Sequence, residues 1–209
     1  MKNRRLLILL SGAIIFSVFV FFSYLVHKNL FTSLDFDTTV RLQNKIPEIF
    51  ITPFSFLSLL GSVEIVSIIL LIMLVILRKL RAIFVLFFFG MIHIIELFGK
   101  AFVTHPGPPF MFHKYDLGFT FPSSYVQPGS SYPSGHLART AFIAVLFAFI
   151  IYGSKRFSKT QKQLLYCSIT IIVCLMFVSR VYLGEHWLSD VIGGSFLGSA
   201  MGLLSIIFI

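Results

Sequence analysis

The strongest constraint on this chain is the spacing of its apolar runs. Six of them, Leu6 to Val26, Pro53 to Leu77, Ala82 to Val103, Leu137 to Tyr152, Leu164 to Val181 and Val191 to Ile209, are separated by short clusters of charge. About 20 apolar residues in a helix cross a ~30 Å hydrocarbon core. Charged residues make up only 12% of the chain, about half the share in soluble domains, so an ordinary water-soluble globule is excluded. The spacing predicts an all-α, polytopic membrane protein: six transmembrane helices in a single bundle, with residues 1–209 as one integral membrane domain and no internal repeat. The first run follows Lys2, Arg4 and Arg5. It exceeds the ~7–15-residue core of a signal peptide and no small-x-small cleavage site follows, so it reads as an uncleaved span.

The formal charge of +9 sits mostly in three short segments: the N-terminus, Arg78-Lys79-Leu80-Arg81, and the stretch carrying Lys155, Arg156, Lys159 and Lys162. With six spans all three fall on one side. By the positive-inside rule that side is cytoplasmic, as are both termini, in a multi-pass protein of the cell (plasma or inner) membrane. The basic excess therefore reads as topology and attraction to lipid headgroups, not as a nucleic-acid surface. Opposite lie the acidic loop with Asp35, Asp37 and Glu48, the long proline-rich loop from Thr104 to Pro133, and the Gly184 to Ser189 connection. Gly193, Gly194, Gly198 and Gly202 suit close helix contact. Cys167 and Cys174 read as packing residues, and form neither a disulfide framework nor a zinc motif.

Ionisable residues near span ends are costly without a function. Three groups converge on the outer face: Glu96, Lys100 and His105; Pro133-Ser134-Gly135-His136; and Ser179-Arg180 with His186 and Asp190. Pro-Ser-Gly-His at a helix start offers a hydroxyl, unpaired N–H groups and a positive dipole end, which together suit an anion such as phosphate. His186 and Asp190 are four apart, so on a helical turn the carboxylate can hold one imidazole nitrogen and leave the other free to attack. Arg180 supplies a planar fork and Lys100 a point charge. Phosphoryl transfer through a phosphohistidine follows, without a metal or other cofactor.

At these residues the chain resembles the type 2 phosphatidic acid phosphatase superfamily, which also includes the vanadium haloperoxidases. The family signature is Lys-x6-Arg-Pro, then Pro-Ser-Gly-His, then Ser-Arg-x5-His-x3-Asp. Pro133 to His136 match the second block, and Ser179, Arg180, His186 and Asp190 match the third at full spacing. The resemblance implies a six-helix membrane core, His186 as nucleophile, Asp190 as its orienter and His136 as general acid. It also implies Lys100, Ser134, Gly135 and Arg180 as the phosphate cradle.

The first block departs from the signature: counting from Lys100, Gly107 stands where the family has arginine. Loss of one preorganised donor can cost on the order of 10²–10³ in rate. Arg139, one turn after His136, and His105 are the candidates to compensate; Arg139 also competes for a buried pair with Glu96. The expected substrate is a membrane lipid carrying a phosphate ester or diphosphate. A polyprenyl diphosphate such as undecaprenyl diphosphate comes first, phosphatidylglycerol phosphate or phosphatidate next, with no obligate protein partner. The alternative is a non-catalytic lipid-phosphate binding or transport protein with a degenerate first motif.

Overall fold

The computed structural model describes residues 2–78, 80–119, 121 and 129–209. Lys79 of the basic turn, and residues 120 and 122–128 of the proline-rich loop, lie outside them. The elements are helices α1 (Lys2–His27), α2 (Thr32–Lys45), α3 (Ile51–Leu59), α4 (Val63–Leu77), α5 (Phe84–Phe102), α6 (Gly135–Gly153), α7 (Lys159–Tyr182) and α8 (Leu188–Ser205), with short 3-10 turns between some of them. Among the described residues the only β pairing is an isolated bridge between Pro106 and Ser130. Among the described residues five helical segments are long and apolar enough to cross a membrane, and six if the bent pair Glu48–Leu59 and Val63–Leu77, which meet at 47°, counts as one span.

The boundaries follow local chemistry. Ser62 starts α4 by accepting the Ile65 N–H at 3.3 Å, and α4 stops at Arg78, whose backbone turns left-handed at φ 50°. Ser158 and Gln161 form a reciprocal capping box at the start of α7. The second apolar run, expected as one continuous span, is broken at Gly61 and Ser62, where the serine favours a new cap over continuation of α3.

Two expectations are corrected. The acidic segment around Asp35 is not a loop: it is the 14-residue helix α2, with Asp35 and Thr39 buried on one face toward α7 and α8. The four-residue spacing of these buried positions is present in the sequence, but the polar remainder of the helix masks it. Cys167 and Cys174 do not pack between helices. Both are free and exposed on the outer surface of α7.

Helix α8 is the axis of the bundle, packed most extensively on α6 and α1. Gly194, Gly198 and Gly202 recur every fourth residue on its α6-facing side. A Cβ at Gly198 would overlap the Ala138 carbonyl, and one at Gly194 the Ser134 carbonyl. The two backbones therefore touch, as small residues permit in membranes, and this brings the start of α6 against the start of α8. The outer surfaces of α1, α4 and α5 present Leu7, Ile14, Phe21, Val75, Ile76, Phe87, Leu97 and Phe98. These suit contact with lipid tails.

Gly198→Ala forces one methyl against a backbone carbonyl, whereas a Cβ at Gly90 meets nothing within 4 Å. Gly198→Ala is expected to destabilise the protein by about 1–3 kcal/mol, while Gly90→Ala is neutral or slightly stabilising. Thermal unfolding in detergent checks the pair; equal melting temperatures would refute the close α6–α8 crossing.

Candidate active site

The first turn of α8 is built around Asp190. Its Oδ2 accepts the Trp187 backbone N–H at 2.9 Å, satisfying an N-terminal donor of its own helix. The same oxygen lies 3.3 Å from Nδ1 of His186. Asp190 is fully buried and the His186 side chain is 11% exposed. The carboxylate therefore engages one ring nitrogen and leaves Nε2 unclaimed. Burial first, then the nearby Arg180 and Lys100 cations, hold the His186 imidazole well below the usual histidine range. It is neutral at physiological pH, as a nucleophile must be.

Three cations surround this histidine. Arg180, at the end of α7, is buried and bonded to the Ser58 hydroxyl and the Glu185 carboxylate. Its Nε has no hydrogen-bond partner among the described residues. Lys100, one turn from the end of α5, bonds Glu96 Oε1 at 2.8 Å. Arg139 on α6 reaches the other Glu96 oxygen at 3.0 Å and donates from Nε to the Gly61 carbonyl at 2.9 Å. Glu96 thus divides its charge between two cations, in line with the rule that buried ions are paired. The pairing of Arg139 with Glu96 accounts for the presence of an arginine within a span.

Opposite, α6 begins at Ser134 without a side-chain cap. The Ser134 hydroxyl is buried with no hydrogen-bond partner among the described residues, and its N–H is tied to the Asp190 carbonyl at 3.0 Å. A Cβ at Gly135 would overlap the Glu96 carboxylate, so only glycine fits between α5 and the α6 terminus. His136 lies half-buried within electrostatic reach of Arg180, Arg139, His186 and Lys100. An unpartnered hydroxyl, an unpartnered guanidinium N–H and an open helix N-terminus beside an oriented imidazole are together suited chemically to an anion.

His105 is not at this pocket's cationic rim. It is buried behind Asp190, its Nε2 3.5 Å from Asp190 Oδ1 and 3.1 Å from the Ser189 hydroxyl. The reason is backbone pairing: the Ser131 N–H donates to the His105 carbonyl at 3.0 Å and the Gly107 N–H to the Gly129 carbonyl at 3.2 Å, which turns His105 inward. Glu96 belongs to the site's surroundings as the sequence places it, whereas Glu185, Ser58 and Asp35 also belong there and are absent from the sequence-derived groups. Only Glu185 and Glu96 carry a sequence signal, as acids beside site residues in apolar runs.

The model of the PAP2 superfamily matches residues 78–209, a stretch containing all three motif segments. Over 68 residues the chain is 37% identical to phosphatidylglycerophosphatase B of Bacillus subtilis (strain 168), covering 32% of this chain and 34% of that protein. The likeness thus spans about a third of that curated relative's length. The crystal structure of the first transmembrane PAP2 type phosphatidylglycerolphosphate phosphatase from Bacillus subtilis matches at a TM-score of 0.76 and 22% identity, covering 94% of each chain. Aquifex aeolicus LpxE matches at 0.62 and 21%, covering 83% of this chain and 95% of that one. The fold is shared across nearly the whole length, and the motifs fall inside the matched region: this integral membrane protein belongs to the PAP2 superfamily.

Proposed function

We propose that the protein hydrolyses a phosphate monoester or diphosphate carried on a membrane lipid, through a phosphohistidine on His186. The observation that carries this reading is the neutral His186 ring, oriented by Asp190 at 3.3 Å and ringed by Arg180, Lys100 and Arg139. Nε2 of His186 attacks phosphorus and forms a P–N bond as the bond to the leaving oxygen breaks. His136 supplies the proton that this oxygen takes up. Water then attacks the phosphohistidine, giving its proton back to His136, and inorganic phosphate departs with the P–N bond broken. Asp190 stabilises the positive charge on the His186 ring between the two steps. Arg180, Lys100, the Ser134 hydroxyl and the α6 N-terminus hold the phosphoryl oxygens.

In this reading the site faces the extracytoplasmic side of the cell membrane, with both termini cytoplasmic. Support comes from the far end of the bundle, where Arg4 lies over the Tyr152 ring at 4.6 Å and the basic clusters gather. Phosphatidylglycerol phosphate heads the substrate order because the similar proteins from Bacillus subtilis are named for it. A polyprenyl diphosphate such as undecaprenyl diphosphate follows, then phosphatidate. The Gly107 departure keeps a second reading in the test: binding of lipid phosphate without turnover.

Purified protein in detergent with chelator, offered these three lipids, is expected to release phosphate. His186→Ala is expected to lose on the order of 10³-fold or more in kcat, and wild type quenched in alkali to retain labelled phosphate on histidine, which acid then releases. A wild-type rate in His186→Ala would overturn the nucleophile; phosphate binding without release by folded protein would establish the binding reading.

A Cβ at Gly107 would have Ser131 and Gly129 as its nearest neighbours, at 3.4 Å and beyond. Gly107→Arg is therefore expected to fold normally and to raise kcat about tenfold or more, within the range one donor supplies. Unchanged kcat would show that an arginine at this position does not reach the phosphate.

A further inference from the structure

Asp35, His105 and Ser189 are buried polar groups that the phosphoryl transfer from lipid to His186 and water does not use. They come from α2, the loop after α5 and α8, and they meet directly behind Asp190. Asp35 accepts two hydrogen bonds from Ser189, from the backbone N–H at 2.8 Å and the hydroxyl at 2.7 Å. His105 Nε2 stands between the two carboxylates, 3.6 Å from Asp35 Oδ2 and 3.5 Å from Asp190 Oδ1. Its ring meets the Tyr132 phenol edge-on at 6.4 Å, and that phenol is held by Ser23 of α1 at 2.8 Å. The Ser131 hydroxyl is the other polar group at this spot. Among the described residues no three His, Cys, Asp or Glu side chains are arranged to hold a metal ion.

We propose that Asp35 and His105 are positioning residues for phosphoryl transfer, acting through Asp190: together they keep its carboxylate ionised and aimed at His186. The inference rests on the phosphatase reading. Two buried carboxylates this close repel each other, and desolvation alone favours protonating one of them. A proton on His105 Nε2 attracts both. It turns an N–H toward Asp190 Oδ1 at 3.5 Å while Oδ2 stays committed to Trp187 and His186. Asp35 then sets the ring's position and pins the first turn of α8 through Ser189. The result is a four-member row of carboxylate, imidazole, carboxylate and imidazole that runs from α2 to the attacking nitrogen. Burial pushes the Asp35 carboxyl up to about 6 and pulls His105 down, against the opposing charge of Asp190.

A simpler role, a tether of α2 to α8, makes a different forecast. Asp35→Asn keeps the size and an acceptor for the Ser189 N–H but removes the charge. His105→Gln leaves both Asp35–Ser189 bonds in place. Each is expected to lower kcat by about tenfold to 100-fold, the range for outer partners of a reactive group. KM should stay within about twofold and melting temperature close to wild type, and the double variant should be little worse than the worse single. Kinetics on whichever lipid the wild type hydrolyses, with melting in the same detergent and His186→Ala alongside, decide it. Unchanged kcat in folded Asp35→Asn and His105→Gln, with His186→Ala inactive, overturns this proposal alone. Losses confined to KM, or early melting of both variants in step with lost activity, assign the residues to the scaffold and also overturn it. Folded wild type without turnover removes the phosphatase reading, and this inference with it.

Discussion

The hydrogen bond from the Trp187 N–H to Asp190 is the interaction on which the rest of the site depends. One carboxylate oxygen opens α8 and holds the His186 ring. A helix start and the placing of the His186 ring are thereby made the same object. Because α8 is also the axis against which α1 and α6 pack, a shift in its first turn would be felt at both the His186 ring and the bundle. The Ser134 N–H bonded to the Asp190 carbonyl extends the coupling to α6, so the N-termini of α6 and α8 are linked by backbone.

The second organising constraint is that the cations near the pocket are already paired. Lys100 and Arg139 share Glu96, and Arg180 is held by Glu185. Burial pushes the Glu185 carboxyl up while Arg180 pulls it back, so the pair persists only as a pair. Such arrangements contribute little net stability compared with apolar packing, but breaking one is strongly destabilising. Their benefit is a set of charges fixed in place before any anion arrives, which lowers the reorganisation needed when charge develops on a phosphoryl group.

Features that depend on local spacing are legible in the sequence. His186 with Asp190, and the Pro133 to His136 turn, are set by contacts within one helical turn. The six apolar runs likewise mark the spans by length alone. What is not legible depends on tertiary partners. Asp35 reads as a loop acid because its burial is supplied by Ser189 on a distant helix. His105 reads as available to phosphate because nothing local reveals that residues 129–131 pair with its strand-like backbone and turn it inward. Arg139 can be read in two ways until the position of Glu96 on the neighbouring helix is known.

The glycine face of α8 has a further consequence, for how chains of this fold can diverge. Large apolar side chains on the outer surface of α1, α4 and α5 are exposed and suit hydrocarbon, so one can replace another there at little cost. Positions on α8 face backbone on one side and polar groups at one end, and tolerate almost nothing larger. Steric tolerance therefore rises from the axis to the perimeter. The fold match of 0.76 at 22% identity shows this architecture held by largely different side chains.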